Sequence, residues 1–420
     1  MPRLQARPGA EWTGIRIWIY NKGPGLTGQP RITYILEEVI ITDMRKIGVL
    51  GAGTWGMALA RMLCNAGNEV IVWSAIGQEI DAFQESRRHP KLPDMVIPEE
   101  LQFTKSIEEV CRDKDILLFA VPSVFVRGTA AAARKYIPDG QVIVDVAKGI
   151  EANTLMTMSE VIRSELERAE DSEDKSAEGK ETGPRDFRIV ALSGPTHAEE
   201  VAMDMPTTIV SACEDTAAAE LVQDVFMGPS DKPTCMRVYT NTDVKGVELC
   251  GALKNIIALS AGVAAGMGYG DNARAALITR GLAEIVRLGV KMGCSEQTFY
   301  GLAGVGDLIV TATSRHSRNN RAGFLIGQGC TPEEAVEKVG MVVEGINAIP
   351  AAARLATQYG VEMPIVSFMD GVVRCGTDPG DAAAQLMGRR KKSEMPSAEG
   401  EYYFARLLSE AIRGGYLSTK

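Results

Sequence analysis

Histidine is scarce in this chain, with His89, His197 and His316 the three among 420 residues. That removes the commonest proton-transfer side chain from most places where an enzyme could use it. His89 stands in a polar loop, "RRHPKLP", and His197 follows a Pro-Thr pair at a helix start. Neither looks like a base held by a carboxylate, and both read as surface residues. Paired cysteines are also missing. The eight thiols are scattered, with no C-x-x-C and no histidine at ligand spacing, so no zinc site is expected and the cysteines read as reduced, in a cytoplasm-like compartment. Positive charge is in deficit: the net charge is −9 and the sequence pI near 5.2, which argues against nucleic acid or an anionic membrane surface as the main partner. No apolar run is clean enough to span a membrane. Residues 249–266 come nearest, but Lys254, Asn255 and several Gly and Ser interrupt them, so a buried helix is expected. Residues 1–44 hold turn chemistry ("NKGPGLTGQP") and two short apolar patches, without period or cleavage pattern. They read as a dispensable extension, or as an early start with Met44 the true beginning.

What is present begins at Lys46. "KIGVL" predicts a buried strand, "GAGTWG" a glycine turn and "MALARMLCNAG" a helix ending at Gly67. "NEVIVWS", "DILLFAVPS", "QVIVDVAKG", "FRIVALSGP" and "PTTIVSA" read as further strands, and "MRVYTN" as one more. Strands alternating with helices predict an α/β fold with a doubly wound, Rossmann-like parallel sheet. Residues 165–186 are charged and nearly free of large apolar groups, so a helix end followed by a solvated insertion is expected. After Asp243 the apolar spacing is helical, with Thr331 capping "TPEEAVEKVG". The expected layout is an extension (1–44), a dinucleotide-binding domain (45–240), an all-helical substrate-binding domain (241–390) and a tail (391–420).

Gly51, Gly53 and Gly56 spell G-x-G-x-x-G between a predicted strand and a predicted helix, the context in which that weak motif gains weight. Gly51 permits the tight turn, Gly53 lets backbone approach a pyrophosphate, and Gly56 lets helix and strand pack closely. The acidic residue expected at the end of the second strand is missing. Ser74, Ala75 and Ile76 follow Trp73, with no Arg for a 2′-phosphate, so NAD and NADP both stay open.

With histidine scarce, lysine is the proton carrier to look for, since burial tunes it toward neutrality. Lys254 and Asn255 lie among Cys250, Gly251, Ile257 and Ala258, a small, apolar face. Lys148, in "DVAKGIE", ends a predicted strand where open α/β sheets put ligands. In "SGPTHAEE", Thr196 stands three before Glu199 as a capping box, and Gly194 and Thr196 are placed to touch a ligand. In "GLAGVGDLIVTATSRHSRNNR", a helix would put Asp307 and Thr311 on one face, and the Arg318–Asn319 run suits a phosphate dianion. Arg315 and Arg321 read as a solvated basic face.

These segments, together with "AVPS", "ELCGALKNIIALSAG", "NARAALITRGLAE" and "VVEG", resemble the NAD(P)-dependent glycerol-3-phosphate dehydrogenases of the bacterial type, from about Lys46 to about Gly388. The resemblance implies hydride transfer between NAD(P)H and dihydroxyacetone phosphate, serving phospholipid synthesis, in a cytoplasmic enzyme expected to be a homodimer. It implies Lys254 as proton donor and acceptor, Lys148 near cofactor and substrate, and Asp307 as the acid ordering the lysine and substrate. Gly194, Thr196, Asn255, Thr311, Ser317, Arg318 and Asn319 would contact substrate. Gly51, Gly53, Thr54, Trp55, Gly56, Lys148, Ala198, Arg318 and Glu344 would contact the cofactor. Ala75 replaces a side chain that often meets the adenosine ribose. A related β-hydroxyacid dehydrogenase would want a carboxylate site in place of "SRN", and a silent dinucleotide binder would lack the Lys254–Asp307–Arg318 set.

Overall fold

The structure, a computed structural model, describes residues 44–168, 185–314, 316–391 and 393–394, and the backbone of 18–22 and 31–35. Trp18–Lys22 (β1) and Arg31–Ile35 (β2) pair antiparallel in a sheet of their own, so the two apolar patches of the predicted extension are partners. The rest of that extension, Arg315, most of the insertion and most of the tail lie outside the described residues.

The main sheet is built from Lys46–Leu50 (β3), Glu69–Trp73 (β4), Gln102–Thr104 (β7), Ile116–Phe119 (β8), Val142–Asp145 (β9), Arg188–Ser193 (β10), Thr207–Ala212 (β11) and Met236–Asn241 (β12). A small antiparallel ladder, Arg88–His89 (β5) and Leu92–Val96 (β6), sits between β4 and β7 in sequence. The strand order is β12-β11-β10-β9-β8-β3-β4-β7. β8 and β9 are buried at every position, as expected of strands covered on both faces. The sheet is not wholly parallel, because β10 and β11 run antiparallel. The helix between them, Ala198–Ala202, has five residues and spans about 8 Å. That is too short to carry the chain back along a strand of about 20 Å.

The helix end expected at 165 is there: Glu165 and Leu166 close the helix Met158–Leu166 and are buried, with Arg127 paired to Glu165. One further expectation is corrected. Thr196 forms no capping box. The helix Ala198–Ala202 starts after His197 without a side-chain cap, and the Thr196 hydroxyl is used elsewhere.

From Val244 to Met387 every element is helical among the described residues. The pillar is the helix Val244–Gly266, capped by Asp243 accepting from Gly246 N at 3.0 Å, and buried at every residue from Gly246 to Ala264. A helix apolar all round belongs inside, which is where this one lies. The helix Arg318–Gly327 packs directly on it through glycines: a Cβ at Gly323 would stand 2.0 Å from the Leu259 carbonyl, and one at Gly262 would stand 2.1 Å from that of Asn320. Removing those side chains brings the two backbones into contact and fixes Arg318 and Asn319 beside Lys254 and Asn255.

Candidate functional site

The predicted glycine turn forms at the C-terminal end of β3. Gly51 has φ +122°, and its missing Cβ would meet the Ala120 carbonyl at 2.7 Å. A Cβ at Gly56 would stand 2.2 Å from the Gly51 carbonyl, so that glycine packs helix on turn. A Cβ at Gly53 would meet nothing within 4 Å among the described residues, so this position faces open space, which suits a backbone meant for a bulky anion. The helix Thr54–Asn65 begins there without a side-chain cap or an acidic residue in its first turn, leaving its N–H groups available. These features fit a dinucleotide pyrophosphate.

A cavity of about 550 Å³ runs from this turn to the helical half. It is lined by Gly53, Thr54 and Trp55 of the turn and by Lys148, Thr196, Ala198, Lys254, Asn255, Thr311, Ser317, Arg318, Asn319 and Glu344. A larger hollow of about 930 Å³ between residues 150–153 and 332–337 contains neither the glycine turn nor the lysines, so the chemistry belongs to the smaller one.

At the lysine end the side chains come from four distant segments. Asp307, 1% exposed at the start of the helix Asp307–Thr313, takes Lys254 Nζ on Oδ1 at 2.6 Å and Lys148 Nζ on Oδ2 at 2.7 Å. Lys254 also donates to Thr311 Oγ1 at 2.5 Å, and that hydroxyl donates to the Asp307 carbonyl at 2.7 Å. Lys148 also donates to the Gly194 carbonyl at 3.0 Å and to Thr196 Oγ1 at 3.3 Å. Two ammonium groups thus share one buried carboxylate. Burial pushes Lys254 down to about 7, partly resisted by Asp307 and reinforced by Lys148 and Arg318. Burial pushes Asp307 up, but the two lysines outweigh it and hold the carboxyl below its usual range. The directions agree: a cluster with two cations and one anion sheds its excess proton from Lys254, not by protonating Asp307.

A second polar line orients amides. Gly345 N donates to Asn319 Oδ1 at 2.8 Å, Asn319 Nδ2 to Asn255 Oδ1 at 2.9 Å, and Asn255 Nδ2 to the Gly251 carbonyl at 3.0 Å. Ser317 caps its helix by accepting from Asn320 N at 3.2 Å, and Arg318, half-buried, lines the cavity beside it.

Of the predicted site residues, Gly51, Gly56, Gly194 and Asp307 do not reach the cavity wall. The first two shape the turn, and the last two hold the lysines from behind. Glu344 lines the cavity but is engaged: it accepts from Ser123 N at 3.0 Å and from Ser123 Oγ at 2.5 Å, joining the sheet half to the helical half. "GLAGVGDLIVTATSRHSRNNR" is not one helix. A π-turn at Leu302–Gly306 precedes Asp307–Thr313, and the chain breaks before Ser317. The histidine reading fails for two residues. His89 is buried, stacked on Phe83 at 5.3 Å, and lines the cavity. His197 also lines it, with Nε2 buried and without a hydrogen-bond partner among the described residues; burial, then Lys254, lower its pKa, so its ring is neutral. Sequence reasoning also missed Glu79 and Lys91, whose positions depend on how the segments between β4 and β7 fold back.

A dinucleotide-type turn and a buried lysine–carboxylate cluster on one cavity fit the class of nicotinamide-dependent dehydrogenases. Comparison with known proteins narrows it. Residues 46–174 and 175–219 match the N-terminal model of NAD-dependent glycerol-3-phosphate dehydrogenase, and residues 243–384 match its C-terminal model. The chain belongs to this family. It is similar to a protein of Lactobacillus delbrueckii subsp. bulgaricus named glycerol-3-phosphate dehydrogenase (NAD(P)+) 2, 63% identical over 352 residues, covering 84% of this chain and 99% of that one. A protein of the same name, without the numeral, from Agathobacter rectalis is 47% identical over 357 residues, covering 85% and 99%. The crystal structure of glycerol-3-phosphate dehydrogenase from Coxiella burnetii matches with TM-score 0.74 at 32% identity, over 82% of this chain and 99% of that one.

Proposed function

We propose that the chain interconverts dihydroxyacetone phosphate and sn-glycerol 3-phosphate with NAD(P)H, Lys254 acting as proton donor and acceptor. The observation that carries this reading is Lys254 itself: an ammonium brought down to about 7, fixed by Asp307 and Thr311 at the wall of a cavity that begins at a dinucleotide turn. The bound nicotinamide supplies the hydride. Lys254 faces the ketone oxygen, stabilises the charge that builds there and delivers the proton. Asp307 does not touch substrate; it aims both lysines and lets Lys254 be reprotonated without leaving the cluster. Lys148 stays paired and supplies a second positive charge. Arg318, Asn319 and Asn255 bind the phosphate, whose remote binding energy positions the reacting carbon. Gly53, Thr54, Trp55 and Ala198 hold the dinucleotide. Binding of the cofactor at Glu344 would compete with, or add to, the Ser123 bond.

Supply of glycerol phosphate for phospholipid synthesis, a cytoplasmic location and a homodimeric state rest on the family resemblance. Sedimentation of the purified chain reads the last directly.

The test is initial-rate oxidation of NADH and of NADPH with dihydroxyacetone phosphate. Turnover with either is expected. A folded sample that binds dinucleotide but reduces no dihydroxyacetone phosphate overturns the reading.

A further inference from the structure

We infer that Glu79, oriented by Ser74, reads the 2′ position of the adenosine ribose and makes the chain select NAD(H) over NADP(H). The inference rests on the dehydrogenase reading above and deepens it. Doubly wound dinucleotide domains place an acidic side chain at the end of the second strand of the βαβ unit, about 20 residues after the glycine turn, where it accepts from the ribose 2′-hydroxyl. That strand here is β4, and its end carries Ser74, Ala75 and Ile76, none of them acidic.

The structure supplies the carboxylate from another position. The helix Gly77–Ser86 starts immediately after β4 and carries Glu79 in its first turn. Ser74, 7% exposed, donates from Oγ to Glu79 Oε2 at 2.8 Å and accepts from Ile76 N at 3.1 Å. The strand end therefore acts as a bracket, and the helix provides the acid. The other oxygen of Glu79 takes no hydrogen bond among the described residues. Glu79 lines the same cavity as Gly53 and Trp55, so its free acceptor belongs to the nucleotide end of the site.

Of the two nearby lysines, only Lys105 is paired with a carboxylate among the described residues. Lys105, whose methylenes pass 3.5 Å from the position a Gly77 Cβ would take, pairs with Asp81 at 2.6 Å. Lys91 donates to the Gly340 carbonyl at 3.1 Å, and its backbone N donates to His89 Nδ1 at 3.1 Å. His89 is kept neutral by burial. A 2′-phosphate entering here would meet the Glu79 carboxylate, with Lys105 already paired to Asp81 and Lys91 turned to the Gly340 carbonyl. A 2′-hydroxyl would meet an acceptor made ready by Ser74. A charged acceptor favours the hydroxyl and repels the phosphate, so one group does both halves of the discrimination.

The test is calorimetric titration of the full chain with NAD+ and NADP+, and with the fragments adenosine 5′-monophosphate and adenosine 2′,5′-bisphosphate, which report the adenosine end alone. The wild type is expected to bind NAD+ at least about tenfold more tightly than NADP+, with the fragments ranked the same way. Glu79→Gln keeps the shape and removes the charge. It is expected to bring the two dinucleotides within about threefold of each other without lowering Tm. A wild type that binds NADP+ as well as NAD+, or a Glu79→Gln variant that keeps the wild-type ratio, overturns the assignment while leaving the dehydrogenase reading intact. Failure to bind either dinucleotide overturns both.

Discussion

The two ends of the cavity are built on opposite plans. The glycine end is backbone: six consecutive residues, an uncapped helix start, and a Gly53 whose Cβ position is open among the described residues. The lysine end is side chain: Lys148 after β9, Thr196 after β10, Lys254 in the pillar helix and Asp307 with Thr311 on another helix, all meeting around one carboxylate that is 1% exposed. The first offers partial charges fixed by local geometry and depends little on what surrounds it. The second holds full charges out of water, which is tolerable only while every partner is in place. A substitution at the glycine end should therefore change what binds there, or the local packing. A substitution at the lysine end should change the protonation of the whole cluster.

Lys254→Met is the harshest way to break the contrast. Single-turnover and steady-state reduction of dihydroxyacetone phosphate should lose at least about a thousandfold in kcat, while dinucleotide affinity changes little, because the two ends are separate. Asp307→Asn should come next. It removes the carboxylate that supports Lys254 against burial, so the inflection of the pH–rate profile should move below about 7 and neutral-pH turnover should fall more than about tenfold. In the wild type, reduction needs protonated Lys254 and alcohol oxidation needs the neutral amine. The reductive kcat should thus decline, and the oxidative kcat rise, as pH increases through about 7; parallel profiles for the two directions would contradict the role. Arg318→Ala should raise KM for the phosphate substrate by about tenfold or more with a smaller effect on kcat. The glycine end gives the mildest pair and the sharpest comparison. Gly56→Ala, with a Cβ 2.2 Å from the Gly51 carbonyl, should lower Tm, whereas Gly53→Ala, with open space and an ordinary extended backbone, should leave Tm unchanged and weaken dinucleotide binding.

Much of this was legible in the residues. Gly51, Gly53 and Gly56 between an apolar strand and an apolar helix announce their own geometry, because turn, close approach and helix start all lie within one short segment. Lys254 and Asn255 stood out because polar groups in an apolar helix demand partners, and Asp307 with Thr311 because i, i+4 spacing puts them on one face. His89 and His197 were misread for the complementary reason. A polar loop does not reveal that it will fold onto Phe83, nor does a helix start reveal that its histidine will face a lysine. Thr196 carried a true capping-box pattern, yet its hydroxyl accepts from Lys148 and donates to the Gly194 carbonyl, a tertiary use that local spacing cannot anticipate.

The sequence by itself therefore determined seven of the eight main-sheet strands (not β7, nor the β5–β6 ladder), the glycine turn, the buried pillar helix and the identity of the lysines, since each depends on neighbours within a few residues. Tertiary structure alone decided that one carboxylate serves two lysines, that Glu344 is tied to Ser123 and that Glu79 stands in the cavity that begins at the glycine turn. Those facts join residues as much as 221 positions apart, and only the packing of glycine-faced helices and the order of the sheet brings them within a hydrogen bond.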